Sequence, residues 1–169
     1  KDFRNAVVAA RKAQGSWAGK TAYNRSQILY RLAEMLEARR ASFMEEMEVL
    51  GFAKKAAEKE VDDSIARLVY YAGWCDKHIQ IFSSVNPVAS SHFNFTVPEP
   101  MGVVAAIAPQ NTSLIGLVSL IAPVIAGGNT IIILASESKP LCSISFAEVL
   151  NSSDVPGGVV NILTGNVVE

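Results

Sequence analysis

Along the first half of the chain, apolar residues recur at intervals of three and four. After about residue 85 they gather into short unbroken runs. Ile28, Leu29, Leu32, Met35 and Leu36 share one helical face, which predicts an amphipathic helix capped by Asn24 or Ser26. Arg25, Arg31, Glu34, Glu37, Arg39 and Arg40 are expected largely on its solvent side, with Gly51 as the break before the next helix. There Val61, Ile65, Leu68, Val69 and Ala72 repeat the spacing, and the run KKAAEKEVDD (residues 54–63) reads as that helix's solvated face and first turn. In HFNFTV, His92–Val97, the residues Phe93, Phe95 and Val97 alternate with polar ones. That period predicts a half-buried strand, partnered by a local hairpin or by another subunit's edge and ended by Pro98 and Pro100.

From Gly102 onward the pattern reads strand, helix, strand, helix, strand. Gly102–Ala108 and Thr130–Leu134 lack alternation, as expected of parallel strands covered on both faces. Leu114–Ala126 has helical length, is apolar all round and is closed by Gly127-Gly128. Pro140 opens a further helix to about Leu150, with Ile144, Ala147 and Leu150 expected on one face, and Val159–Leu163 is the last strand. The fold class is therefore α/β: N-terminal helices followed by the first half (βαβαβ) of a doubly wound, Rossmann-like parallel sheet, left incomplete. Ligands of such sheets bind beyond the strands' carboxyl ends, which points to Pro109–Asn111, Ala135–Glu137 and Thr164-Gly165.

Composition narrows the function classes. With 15 Lys+Arg against 16 Asp+Glu the net charge is −1, so no basic excess is available for nucleic acid. Two cysteines cannot make a disulfide framework, and a reducing, cytoplasmic compartment is expected. No residue from Pro100 to Ser136 is charged, but Pro109, Gln110, Asn111 and Gly127-Gly128 cut the run too short for a membrane span. Cys75, with His78 one helical turn away, and Cys142 are expected as core or surface residues, not as a zinc site or a nucleophile. His92 is expected on the solvent side of its strand. The patterns GxxxxGK[ST], GxGxxG, GxSxG and HExxH do not occur in the chain.

The ordered string EPMGVVAAIAPQN, IAPVIAGGNTIIILASESKPL and VPGGVVNILTG, between Glu99 and Gly165, resembles the aldehyde dehydrogenase superfamily. The upstream RSQILYRLAEMLEARR and LVYYAGWCDK are similar to that family's N-terminal helices, and LVSLIAPVIAGGNTIIIL resembles the second unit of tandem, family-16-type members, commonly described as lacking the nucleophile. The resemblance implies NAD- or NADP-dependent oxidation of an aldehyde to a carboxylate. It implies that Asn111 matches the oxyanion-stabilising asparagine of the PWN motif. Glu137 then matches the acidic residue facing the adenosine ribose, and Ile107, Ala108, Pro109 and Gln110 line the cofactor cleft.

Departures from the family pattern accompany these matches. Leu134 stands at the ribose-side lysine, Gln110 at the aromatic of PWN, and Thr112-Ser113 at the following Phe-Pro, so weakened cofactor binding is expected. The glycine-rich GSTxxG turn, nucleophilic cysteine and general-base glutamate would lie beyond Glu169, so the chain by itself is expected to be inactive. On this reading residues 1–84 are an N-terminal helical segment, 85–100 a strand and linker of oligomerisation type, and 101–169 the first half of a dinucleotide-binding domain. A homo-oligomer is expected. The alternatives are a degenerate unit kept as an oligomerisation scaffold and a nucleotide-binding module without redox chemistry.

Overall fold

The chain is described by a computed structural model over residues 1–166. Five helices come first: α1 (Asp2–Ala18), α2 (Ala22–Ala38), α3 (Arg40–Val49), α4 (Lys54–Ala72) and α5 (Lys77–Phe82). Two short strands, β1 (Ser84–Asn86) and β2 (Asn94–Thr96), then pair antiparallel as a hairpin. The remainder is β3 (Val103–Ile107), α6 (Ile115–Ala126), β4 (Thr130–Leu134), α7 (Leu141–Asn151) and β5 (Val160–Leu163). The last three strands form one parallel sheet in the order β3-β4-β5, with Ile107, Leu134 and Leu163 in register at its carboxyl end. The α/β reading and its incomplete sheet therefore stand.

The central strand explains why TIIIL shows no alternation. Ile131 and Ile133 turn into the main core with α6, α7 and the α2–α4 helices, whereas Ile132 faces the small side chains of Ala6 and Ala10 on α1. Covering both faces makes β4 apolar from Ile131 to Leu134, while the buried Thr130 hydroxyl at its start donates to the Ala10 carbonyl. Gly158, at φ +89°, lets α1 pass directly over the turn before β5: a Cβ there would sit 2.6 Å from the Ala9 carbonyl oxygen. β3 differs from expectation. It lies at the sheet edge, and Ala105 and Ile107 are exposed.

Several local expectations are corrected. The α2 cap is Thr21, neither Asn24 nor Ser26: in extended conformation its Oγ1 accepts the Asn24 amide at 3.1 Å. Arg39 ends α2, so two helices occupy the stretch before Gly51. On α7 the inward face is Cys142, Ser143, Phe146, Val149 and Leu150, leaving Ile144 and Ala147 exposed. Val69, expected on the apolar face of α4, is also exposed. The HFNFTV strand finds its partner locally in β1, yet Val85, Phe93, Phe95 and Val97 stay at least half exposed, so the hairpin has no buried face among the described residues.

Two charges assigned to solvent are buried, and both serve α6. Its twelve residues carry no charge and no side-chain cap of their own. At its start one oxygen of Glu60, reaching over from α4, accepts the amides of Ser113 (2.8 Å), Leu114 (2.7 Å) and Ile115 (3.2 Å). At its end Arg25 donates from Nε to the Ala126 carbonyl at 3.0 Å and from a terminal nitrogen to the Lys20 carbonyl, while Trp17 Nε1 donates to the Ile125 carbonyl at 3.1 Å. A carboxylate at the amino end and a guanidinium at the carboxyl end match the helix dipole and satisfy groups that water cannot reach. No helix among the described residues is long and apolar enough to cross a membrane.

Candidate functional site

Parallel strands end together, so the loops that follow them share one rim of the sheet. The ladder runs one residue past each strand: the Ala108 amide donates to the Leu134 carbonyl and the Ala135 amide to the Leu163 carbonyl, both at 2.8 Å. Beyond that point the chain must turn, and polar side chains take over the hydrogen bonding. On the α1 side of the rim lies a cleft of about 920 Å³, walled by Ile107, Leu134, Leu163, Thr164, Gly165 and Phe3 among others. Its walls are mainly apolar, and Leu134 presents a half-buried methyl surface there.

The structure brings most of the sequence-predicted residues to this rim. Ile107 is exposed on the cleft wall, and Ala108 is buried with its amide engaged in the ladder. Pro109 packs against the start of α6, where a Cβ on Gly116 would meet the Pro109 ring at 2.9 Å and Thr112 Oγ1 at 2.2 Å. Only glycine allows this helix to begin so close to the loop. Gln110 joins the two loops: its Oε1 accepts from the Glu137 amide (2.8 Å), the Ser138 amide (3.3 Å) and Ser136 Oγ (3.3 Å). Its Nε2 donates to the Ala108 carbonyl at 3.3 Å, and Ser138 Oγ donates to its backbone carbonyl at 2.8 Å. Asn111 is exposed next to it, and Glu137 extends an exposed carboxylate from the second loop.

Two residues of this site were missed by the sequence reading. Lys139 crosses between the loops, donating from Nζ to the Asn111 carbonyl at 2.9 Å with its ammonium 4.3 Å from the centre of the Phe52 ring. Glu60 fills the amino end of α6, where a phosphate would otherwise find free amides. An anionic group at this rim must therefore be held elsewhere. The helical period could have drawn attention to Glu60, since it adjoins Val61 and precedes the inward Ser64 by one turn.

The cysteines and histidines do not assemble into a centre. Cys75 Sγ, in the turn between α4 and α5, donates to the Tyr71 carbonyl at 3.5 Å, and His78 Nδ1 lies 3.2 Å from the Trp74 carbonyl of that same turn, so each is engaged by nearby backbone. Burial pushes the Cys75 thiol up to about 11 and the Cys142 thiol up to about 12. Both are core thiols, protonated at neutral pH and unsuited to nucleophilic attack. His92 is exposed beside Ser90, and the described residues contain no group of three or more potential metal ligands.

Comparison with known proteins agrees with this geometry. The model of the aldehyde dehydrogenase family matches residues 1–169. An aldehyde dehydrogenase of Aspergillus niger is 37% identical over 168 residues, covering 98% of this chain and 33% of that protein. A cytosolic 10-formyltetrahydrofolate dehydrogenase of Pongo abelii is 35% identical over 173 residues, covering 98% of this chain and 19% of that one. The NAD+ complex of an aldehyde dehydrogenase from Bacillus cereus superposes with a TM-score of 0.93 at 31% identity, covering 99% of this chain and 34% of that chain. The chain spans at most about a third of the length of the relatives it matches.

Proposed function

This chain belongs to the aldehyde dehydrogenase family along its whole length, and from that premise we propose that it forms the cofactor-facing part of an NAD(P)-dependent unit that oxidises an aldehyde to a carboxylate. One observation carries the reading: three parallel strands end in register at Ile107, Leu134 and Leu163, and the loops beyond them present the Asn111 amide and the Glu137 carboxylate on one rim. The residues present fit a dinucleotide in part. The apolar cleft accepts a flat ring, and Glu137 can accept both hydroxyl protons of a ribose. Leu134 offers no donor or cation on that side. When bound, the nicotinamide would supply hydride acceptance. Asn111 would direct a neutral amide donor at the oxygen that gains charge during attack on the carbonyl, a contribution of about 3 kcal/mol in comparable sites. Since Cys75 and Cys142 are buried and protonated, the nucleophile belongs to the rest of the unit.

Titration of NAD+ and NADP+ into the intact protein by calorimetry tests this reading. Weak binding is expected, reduced about tenfold by Glu137→Gln, a loss of about 1.4 kcal/mol, and strengthened by Leu134→Lys. Binding that ignores Glu137→Gln, or none at all even with Leu134→Lys, overturns it. A second reading, a non-catalytic unit kept for assembly, is favoured by Leu134, by the use of Gln110 for internal bonds, and by the uncovered hairpin. In either reading we assign Phe93, Phe95 and Val97 to contact with a second subunit, which sedimentation of a clean monomer would overturn.

A further inference from the structure

The rim carries one feature that neither reading requires. Its two loops are joined by side chains from both directions, across 27 to 28 residues of sequence. Gln110 reaches from the first loop to the backbone of Glu137 and Ser138, and Lys139 reaches back from the second loop to the backbone of Asn111. The two bridges flank the pair of exposed groups, Asn111 and Glu137. The Gln110 amide is oriented unambiguously, since its oxygen meets two backbone N–H donors and its nitrogen meets a carbonyl. Phe52 braces the Lys139 ammonium from the α3–α4 turn, and Glu60 fixes the amides immediately after the Asn111 turn. The Asn111 turn is thus anchored on one side to the helical layer and on the other to the Glu137 loop.

We propose that Gln110 and Lys139 are positioning residues that clamp the Asn111 turn to the Glu137 loop, so that the two move as one body and a ligand held at Glu137 fixes the orientation of the Asn111 amide. The roles of Asn111 and Glu137 rest on the function proposed above; the clamp does not. Reciprocal bonds of this kind reinforce each other, because each shortens the range over which the other's partner can wander.

Amide hydrogen exchange of the intact protein, read by mass spectrometry over residues 109–112 and 135–139, tests the clamp without any ligand. Gln110→Ala is expected to speed exchange in 135–139 by about tenfold, and Gln110→Glu, which keeps an accepting oxygen, to restore most of the protection. Lys139→Met is expected to speed exchange in 109–112 several-fold, although that segment is distant in sequence. Unchanged exchange in 135–139 for Gln110→Ala, or in 109–112 for Lys139→Met, overturns the clamp. Adding NAD+ separates this inference from the function it deepens. Protection gained in both segments supports both, and protection confined to 135–139 overturns the coupling while the cofactor reading stands. Protection in neither overturns the cofactor reading, and the clamp is then decided by the ligand-free exchange.

Discussion

Truncating Glu60 to alanine removes the one oxygen that accepts the amides of Ser113, Leu114 and Ile115, at 2.8, 2.7 and 3.2 Å. The carboxylate is buried and comes from another helix, so no neighbouring backbone group replaces it. A hydrogen bond to a charged acceptor contributes about 1.5–3 kcal/mol, and unpaired buried donors add their desolvation cost. An anion at a partly buried helix start contributes up to about 2 kcal/mol more. Three bonds to a single oxygen are not additive, so the expected loss for Glu60→Ala is about 3–4 kcal/mol. Glu60→Gln keeps an acceptor but not the charge and should lose about 1–2 kcal/mol. Urea unfolding followed by circular dichroism measures both, and the melting temperature of the alanine variant should fall by roughly 6–16 °C. An alanine variant within about 0.5 kcal/mol of the parent would refute this account of α6.

Two further outcomes follow from the core. Cys75 and Cys142, raised to about 11 and about 12 by burial, should resist iodoacetamide at pH 8 until urea unfolds the protein. Because these values exceed those of unfolded thiols, the associated stability is intact below about pH 8.5 and declines as pH rises toward 11. Urea midpoints at pH 7.5 and 10 check the sign, and Cys142→Ala should flatten the decline. Gly158→Ala combines φ +89° with a Cβ 2.6 Å from the Ala9 carbonyl oxygen, so α1 must shift. A loss above about 2 kcal/mol is expected by denaturant unfolding, and a neutral result would contradict the described contact.

The sheet was legible because each strand carries its own signal: unbroken β-branched runs bounded by glycine and proline, with helix-length apolar spacing between. The strand ends, and with them the placement of Asn111, Leu134 and Glu137 on one rim, followed from topology. The roles of Arg25 and Glu60 were not legible. A charged residue inside an amphipathic pattern reads as solvent-facing, and the groups that hold these two inward lie 101 and 53 to 55 residues away. Lys139, and the internal bonds of Gln110, which was expected only to line the cofactor cleft, escaped for the same reason, since their partners are backbone atoms of another loop, to which a sequence pattern is blind. The local hairpin was foreseen but its burial was not: its alternation was read as a half-buried face, but alternation states only that one side is apolar, not what covers it.

The position of α1 has a kinetic side. This helix is synthesised well before its partners on β4 and at the end of α6, which appear more than 100 residues later, as in the bonds from Trp17 to Ile125 and from Thr130 to Ala10. At about 5–20 residues per second, a nascent chain would hold that helix without its docking surface for something like 5–20 s. During that interval Trp17 and the alanine stripe beside it are open to holdase chaperones, and the ribosome's pace, more than helix formation, sets when α1 locks down.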